Sequence, residues 1–140
     1  MLIGRRVNLP PVDAVIISCG TELTTGQCVD TNSAWLSAQL TPVGVHVVEH
    51  VTVGDEAAQL VSVIRRAFDA ANLVIISGGL GPTLDDITRE AIAAALGIPL
   101  AENAEALTQI RAFFERWQRS MPDSNRRQAM IPRGCEMIPN

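Results

Sequence analysis

Leu73-Val74-Ile75-Ile76-Ser77-Gly78-Gly79-Leu80-Gly81-Pro82-Thr83-Leu84-Asp85-Asp86 is the stretch on which the fold turns. Its first five residues are an unbroken aliphatic run, which predicts a strand buried on both faces in a parallel sheet. Three glycines follow, then two carboxylates ahead of an apolar helical pattern. Glycine takes positive φ readily and lets the main chain come close to a ligand, so free backbone N–H groups in such a loop can hold phosphate oxygens. Gly78, Gly79 and Gly81 are therefore candidate phosphate ligands, with the Thr83 hydroxyl as an added donor. Pro82 fixes one φ and stiffens the loop. Taken alone the glycine run is a weak signal, because strand-to-helix turns also use glycine for packing and no Gly-x-Gly-x-x-Gly fingerprint is present.

The same aliphatic signal occurs earlier, from about Asp13 to Ser18. Asp30 or Thr31 can cap a helix carrying Trp35, Leu36 and Leu40, and Gly44 ends that turn before a valine-rich strand from Val45 to Val53. Leu60, Val61, Ile64 and Phe68 recur at helical spacing and give a stripe for the sheet. After the glycine loop, Ile87, Ala91, Ile92 and Ala95 form another stripe that stops at Gly97. A further helix from about Asn103 carries Leu107, Ile110, Phe114 and Trp117 as a core-facing stripe, closed by Pro122. Strand-helix alternation predicts an α/β fold, a mainly parallel sheet with helices on both faces, and ligands beyond the strands' carboxyl ends. Cys135 to Ile138 reads as a short final strand, and residues 1–11 as a loose lead-in to one domain over 12–140.

Composition narrows the chemistry. All eleven basic residues are arginine, which excludes a phosphate-loop lysine and a lysine Schiff base. The net charge of -4 argues against a phosphate-backbone footprint, so nucleic acid is not an expected partner. Three cysteines without Cys-x-x-Cys spacing fit buried thiols in a reducing cytoplasm. No stretch reads as a signal peptide or is long and apolar enough to cross a membrane, so no membrane partner is expected.

Three strand exits should converge: Gly20-Thr21-Glu22-Leu23, Gly54-Asp55-Glu56 and the loop Gly78 to Asp86. Phosphoanhydride chemistry needs charge neutralised on phosphate oxygens and a nucleophile oriented for attack, which backbone amides and a carboxylate-held cation provide. Asp55 and Asp86 are the preferred catalytic pair. The competing reading makes both ordinary helix N-caps, and Asp85 a surface turn residue. His46 and His50 lie about 13 Å apart along a strand, too far to share a metal.

With these residues assembled, the chain resembles the N-terminal domain of the CinA family, the competence/damage-inducible protein A group, within the MoaB/Mog molybdopterin-binding superfamily. The carrying stretches are Gly20 to Leu23, Gly26 to Asn32, Gly54 to Glu56, Gly78 to Thr83 with Asp85-Asp86, and Asn125 to Ala129. The resemblance implies a three-layer α/β sandwich and metal-assisted hydrolysis of ADP-ribose to AMP and ribose 5-phosphate. It implies a divalent ion, Mg²⁺ or similar, at Asp55, Asp86 and Asp85, and a pocket to which Glu22, Asp30 and Asn32 contribute. The family domain continues into further glycine- and proline-rich loops, so the domain is expected to be truncated at its C-terminus. A molybdopterin- or nucleotide-binding module and a structural oligomerisation unit are the alternatives. Superfamily members assemble through this domain, so a homo-oligomer is expected.

Overall fold

The hydrophobic runs become the centre of a sheet. The computed structural model describes residues 11–138; the lead-in expected at the N-terminus lies, apart from Pro11, outside them. Strand β1 (Val12–Cys19) runs between β2 (Val45–Val53) and β3 (Leu73–Ser77), parallel to both. Ala14 to Ile17 are fully buried, as a central parallel strand requires. β2 shows the alternating exposure of an edge strand, and its pairing with β1 slips by one residue where Val15 follows Ala14.

Two helical layers cover the sheet. Val15, Ile17 and Cys19 point to one face and pack with Leu60, Ile64 and Ala67 of α3 (Ala57–Ala70) and Ala91 of α4 (Thr88–Leu96). Ser18 points the other way, where its hydroxyl lies 2.9 Å from that of Ser33 in α2 (Thr31–Leu40). That face is polar. Ser37 binds the Nε2 of His50 at 2.7 Å, so α2 is fastened to the sheet through hydroxyls where α3 uses aliphatic burial. Asp30 caps α2 through the Ser33 amide, as the sequence predicts.

A small second sheet pairs β4 (Leu100–Glu102) antiparallel with β5 (Met130–Pro132). Between them run α5 (Ala104–Arg116), capped by Asn103, and a 3₁₀ segment over Asp123–Ala129. Several expectations fail here and elsewhere in the chain. Cys135 to Ile138 is irregular, and the last strand is instead β5, whose Pro132 carbonyl accepts from the Cys135 amide in a turn. The α5 stripe is buried only at its start, because its cluster is small: Leu107 packs with Ala106 and Ala129, whereas Trp117 is 67% exposed. Phe68 likewise sits at the rim of α3. Of the three thiols only Cys19 is buried; Cys28 and Cys135 are exposed.

Candidate functional site

The strand exits meet at the carboxyl rim of the sheet. The Thr21 amide donates to Asp55 Oδ2 at 3.0 Å, and the Asp55 amide returns a bond to Thr21 Oγ1 at 3.2 Å. This exchange ties the exit of β1 to that of β2. A short helical turn, α1 (Thr21–Thr24), follows Gly20, and the Glu22 carboxylate folds back so far that a Cβ on Gly20 would lie 2.4 Å from Oε1. The third exit presses on the first: a Cβ on Gly78 would lie 2.0 Å from the Cys19 carbonyl. Burial pushes the Cys19 thiol up, a hydrogen bond from Thr88 opposes this and the nearby Asp55 charge adds to it, so carboxylate, thiol and loop base share one neighbourhood.

The loop itself is turned by its carbonyls. The Gly78 carbonyl accepts the Thr88 hydroxyl at 2.8 Å and the Gly79 carbonyl accepts the Thr88 amide at 3.2 Å. Both carbonyls of Leu80 and Gly81 accept from the Arg89 guanidinium, the second at 2.8 Å, and the Thr83 carbonyl accepts from Arg127 at 2.6 Å. In a trans peptide the N–H points opposite to the preceding C=O. The amides of Gly79, Leu80, Gly81 and Leu84 are therefore turned away from these anchors. Those of Gly79 and Leu80 find no acceptor among the described residues. Positive φ at Gly78 and Gly79, 94° and 62°, makes the arrangement possible.

Asp86 occupies part of the cradle. Its Oδ2 accepts from the Thr83 amide at 2.9 Å and from the Thr83 hydroxyl. The Thr83 hydroxyl bond, with the amides of Thr83 and Gly81, holds the Asp86 carboxyl below the usual range. Neither aspartate is a helix cap: Glu56 caps α3, and α4 starts at Ile87 without a side-chain cap. The Thr83 hydroxyl, expected to face a ligand, is bound to Asp86. Asp85 is exposed. Among the described residues no group of three or more His, Cys, Asp or Glu side chains is arranged to hold a metal ion, so Asp55, Asp85 and Asp86 do not form a ready-made three-carboxylate centre.

Glu22, Asp30 and Asn32 come together with Ser18, Cys19 and Ser77 around a cavity of about 120 Å³. Asn32 Nδ2 donates to the Ser77 hydroxyl at 3.1 Å, joining the start of α2 to the end of β3. Burial raises the Asp30 carboxyl, but bonds from the Ser33 hydroxyl and amide outweigh it and leave it lowered. Two residues that hold the loop escape the sequence reading. Arg127 carries no sequence signal beyond the stretch Asn125 to Ala129, and the signal at Arg89 is an arginine in the first turn of a helix, where it opposes the dipole and needs other acceptors.

The parallel α/β sheet and the carbonyl-anchored glycine loop at its carboxyl rim both lie within residues 15–138, which the family model described as "Probable molybdopterin binding domain" matches. A "Putative competence-damage inducible protein" of Symbiobacterium thermophilum is 47% identical over 91% of this chain; the chain spans 30% of that relative's length. The crystal structure of the protein CinA from Thermoplasma acidophilum superposes with a TM-score of 0.82 at 32% identity, covering 89% of this chain and 73% of that one. The molybdopterin biosynthesis enzyme MoaB of Thermus thermophilus shares the fold, with a TM-score of 0.57 at 21% identity over 72% of this chain and 63% of that one. The chain belongs to the molybdopterin-binding domain family and, within it, to the CinA group. No helix among the described residues is long and apolar enough to cross a membrane.

Proposed function

We propose that this domain hydrolyses the diphosphate of ADP-ribose or a related nucleotide diphosphate in the cytoplasm, assisted by a divalent cation. The observation that carries the reading is the pair of unpartnered amides at Gly79 and Leu80 beside a rim that bears Asp55 and Asp86. Amides fixed by their neighbouring carbonyls bind an anion without reorganising, which favours charge that builds on phosphate oxygens. The chain has no lysine, so that charge must be met by amides, arginine and metal.

Carboxylate oxygens are the donor type a hard cation takes, although the described side chains bring no three of them together in advance. One oxygen of Asp55 is bound to Thr21, and its second has no partner among the described residues; the Thr83 bonds hold the Asp86 carboxyl below its ordinary range, which keeps it a carboxylate. Asp55 and Asp86, with Asp85 at the loop surface, would supply carboxylate oxygens, and water and diphosphate oxygens the remaining ligands. When bound, such an ion neutralises diphosphate charge and lowers the pKa of a water. Asp55 then orients the attacking water, Asp86 keeps the loop closed around the phosphates, and Glu22, Asp30 and Asn32 hold hydroxyl or amide groups of the rest of the ligand.

Incubating the chain with ADP-ribose and Mg²⁺ should release AMP and ribose 5-phosphate, and Asp86→Ala should slow that release at least about 100-fold. No AMP from the unmodified chain rejects the hydrolase. The family's description favours a second reading, a molybdopterin-binding module without hydrolysis; it predicts that a pterin precursor raises the melting temperature while ADP-ribose is not consumed.

A further inference from the structure

The face of the sheet beneath α2 carries a chain of hydroxyls whose protons have fixed directions. Asp30, whose carboxyl stays lowered despite burial, only accepts hydrogen bonds. Its Oδ1 takes the Ser33 amide at 3.0 Å and its Oδ2 the Ser33 hydroxyl at 2.6 Å, which uses the single hydroxyl proton of Ser33. The 2.9 Å bond between Ser33 and Ser18 is therefore donated by Ser18. Ser18 is 2% exposed and lines the cavity below the rim, to which it can offer only a lone pair. Ser77 is its opposite: its hydroxyl accepts from Asn32 Nδ2 at 3.1 Å and finds no acceptor among the described residues, so its proton is free for the same cavity.

We propose that Ser18 and Ser77 select the vicinal diol of a ribose 5-phosphate unit, such as those at either end of ADP-ribose. The two serines are register partners on β1 and β3, and adjacent strands lie about 4.8 Å apart, a gap that hydroxyls on neighbouring carbons span. One serine takes a proton and the other gives one. Hydroxyls do both, whereas an ammonium only gives and an ionised phosphate only takes. At about 30 Å³ for each water, the cavity of about 120 Å³ has room for about four, the scale of one sugar ring and not of a nucleoside. Glu22 and Cys19 line it too, yet among the described residues no group of three or more His, Cys, Asp or Glu side chains is arranged for a metal ion. Ser77 leads straight into Gly78 and then into the unpartnered amides of Gly79 and Leu80, which sets a 5-phosphate beside the ring. This selection rests on the phosphate-binding loop of the proposed function and not on hydrolysis there.

The probes are ribose 5-phosphate and its 2-deoxy and 3-deoxy forms, each titrated calorimetrically with Mg²⁺ into the chain and into Ser18→Ala, Ser77→Ala and Asp30→Asn. In the unmodified chain each deoxy sugar should bind about tenfold more weakly or worse, because it leaves one serine of the pair unmatched. Ser18→Ala should erase the penalty for one deoxy sugar and Ser77→Ala for the other. Asp30→Asn keeps the helix cap but reverses the chain of protons. Its Oδ1 still takes the Ser33 amide, so its Nδ2 donates to the Ser33 hydroxyl, Ser33 donates to Ser18 and Ser18 into the cavity. It should therefore erase the same penalty as Ser18→Ala. Lost stability alone would weaken all three sugars alike. No penalty in the unmodified chain, no binding of any of the sugars, or both penalties surviving in the folded variants overturns the proposal; if Ser18→Ala does not fold, an unchanged pattern in Asp30→Asn overturns it. The expected pattern in a chain that makes no AMP from ADP-ribose sinks the hydrolase and keeps the diol site, whereas AMP release with no penalty for either deoxy sugar sinks the diol site alone.

Discussion

Two glycines with similar backbone angles are not equivalent. Gly78 and Gly97 both have positive φ, but a Cβ at Gly97 meets nothing within 4 Å, whereas at Gly78 it enters the Cys19 carbonyl. Gly97→Ala should cost about 1 to 2 kcal/mol, the ordinary left-handed penalty. Gly78→Ala adds a clash with main chain that cannot rotate away, so about 3 kcal/mol or more is expected. Thermal unfolding separates them, and equal melting temperatures would show that β1 and the loop yield. Acid titrates the same region. Asp86 is lowered by its Thr83 bonds, and Glu90 by its bond to Arg127, which outweighs the raising effect of burial. Both contribute stability that is present above about pH 4 and lost as pH falls through their lowered native values. Asp86→Asn should flatten the acid limb of a urea-midpoint profile below pH 4; an unchanged slope would place the titration elsewhere.

Among the elements, energy is concentrated in the layer under α3. Ile64→Ala removes a fully buried side chain and should cost about 2 to 5 kcal/mol, while Trp117→Ala, at the exposed end of α5, should stay within about 0.5 kcal/mol by urea unfolding. A large loss at Trp117 would mean that α5 is covered in solution. β1, β2, β3 and α3 are legible in the sequence because their aliphatic runs and helical stripes match what each buries. α1, β4, β5 and the 3₁₀ segment are too short to carry a period, and the α5 stripe misleads because periodicity shows which residues could be buried and not whether a partner surface exists. The site divides likewise. Glycines and carboxylates declare themselves by type and spacing; that Asp86 braces Thr83, and that Arg89 and Arg127 anchor carbonyls, depends on loop geometry that no local pattern encodes.

Across the whole molecule, one rim gathers residues from Thr21 to Arg127, so ligand binding should stabilise both sheets together. Saturating ADP-ribose with Mg²⁺ at 100 times its dissociation constant would add about 2.7 kcal/mol, read as a rise in the urea midpoint without a second transition. A biphasic curve would show that β4, β5 and α5 unfold apart from the main sheet. The homo-oligomer expected from the superfamily is tested by sedimentation across a concentration series, where a constant single-chain mass removes it.

The central strand, β1, has no partner near it in sequence among the described residues: there it pairs with β2 and β3, each reached through a helix. During synthesis its Val-Ile-Ile segment must wait unpaired until Val53 and then Ser77 have left the ribosome, and the carbonyl anchors wait longer still, for Arg89 and Arg127. Non-local pairing of this kind slows folding and exposes apolar backbone to chaperones. The carbonyl-anchored loop at the rim is therefore complete only once Arg127 has emerged, after every strand of the main sheet.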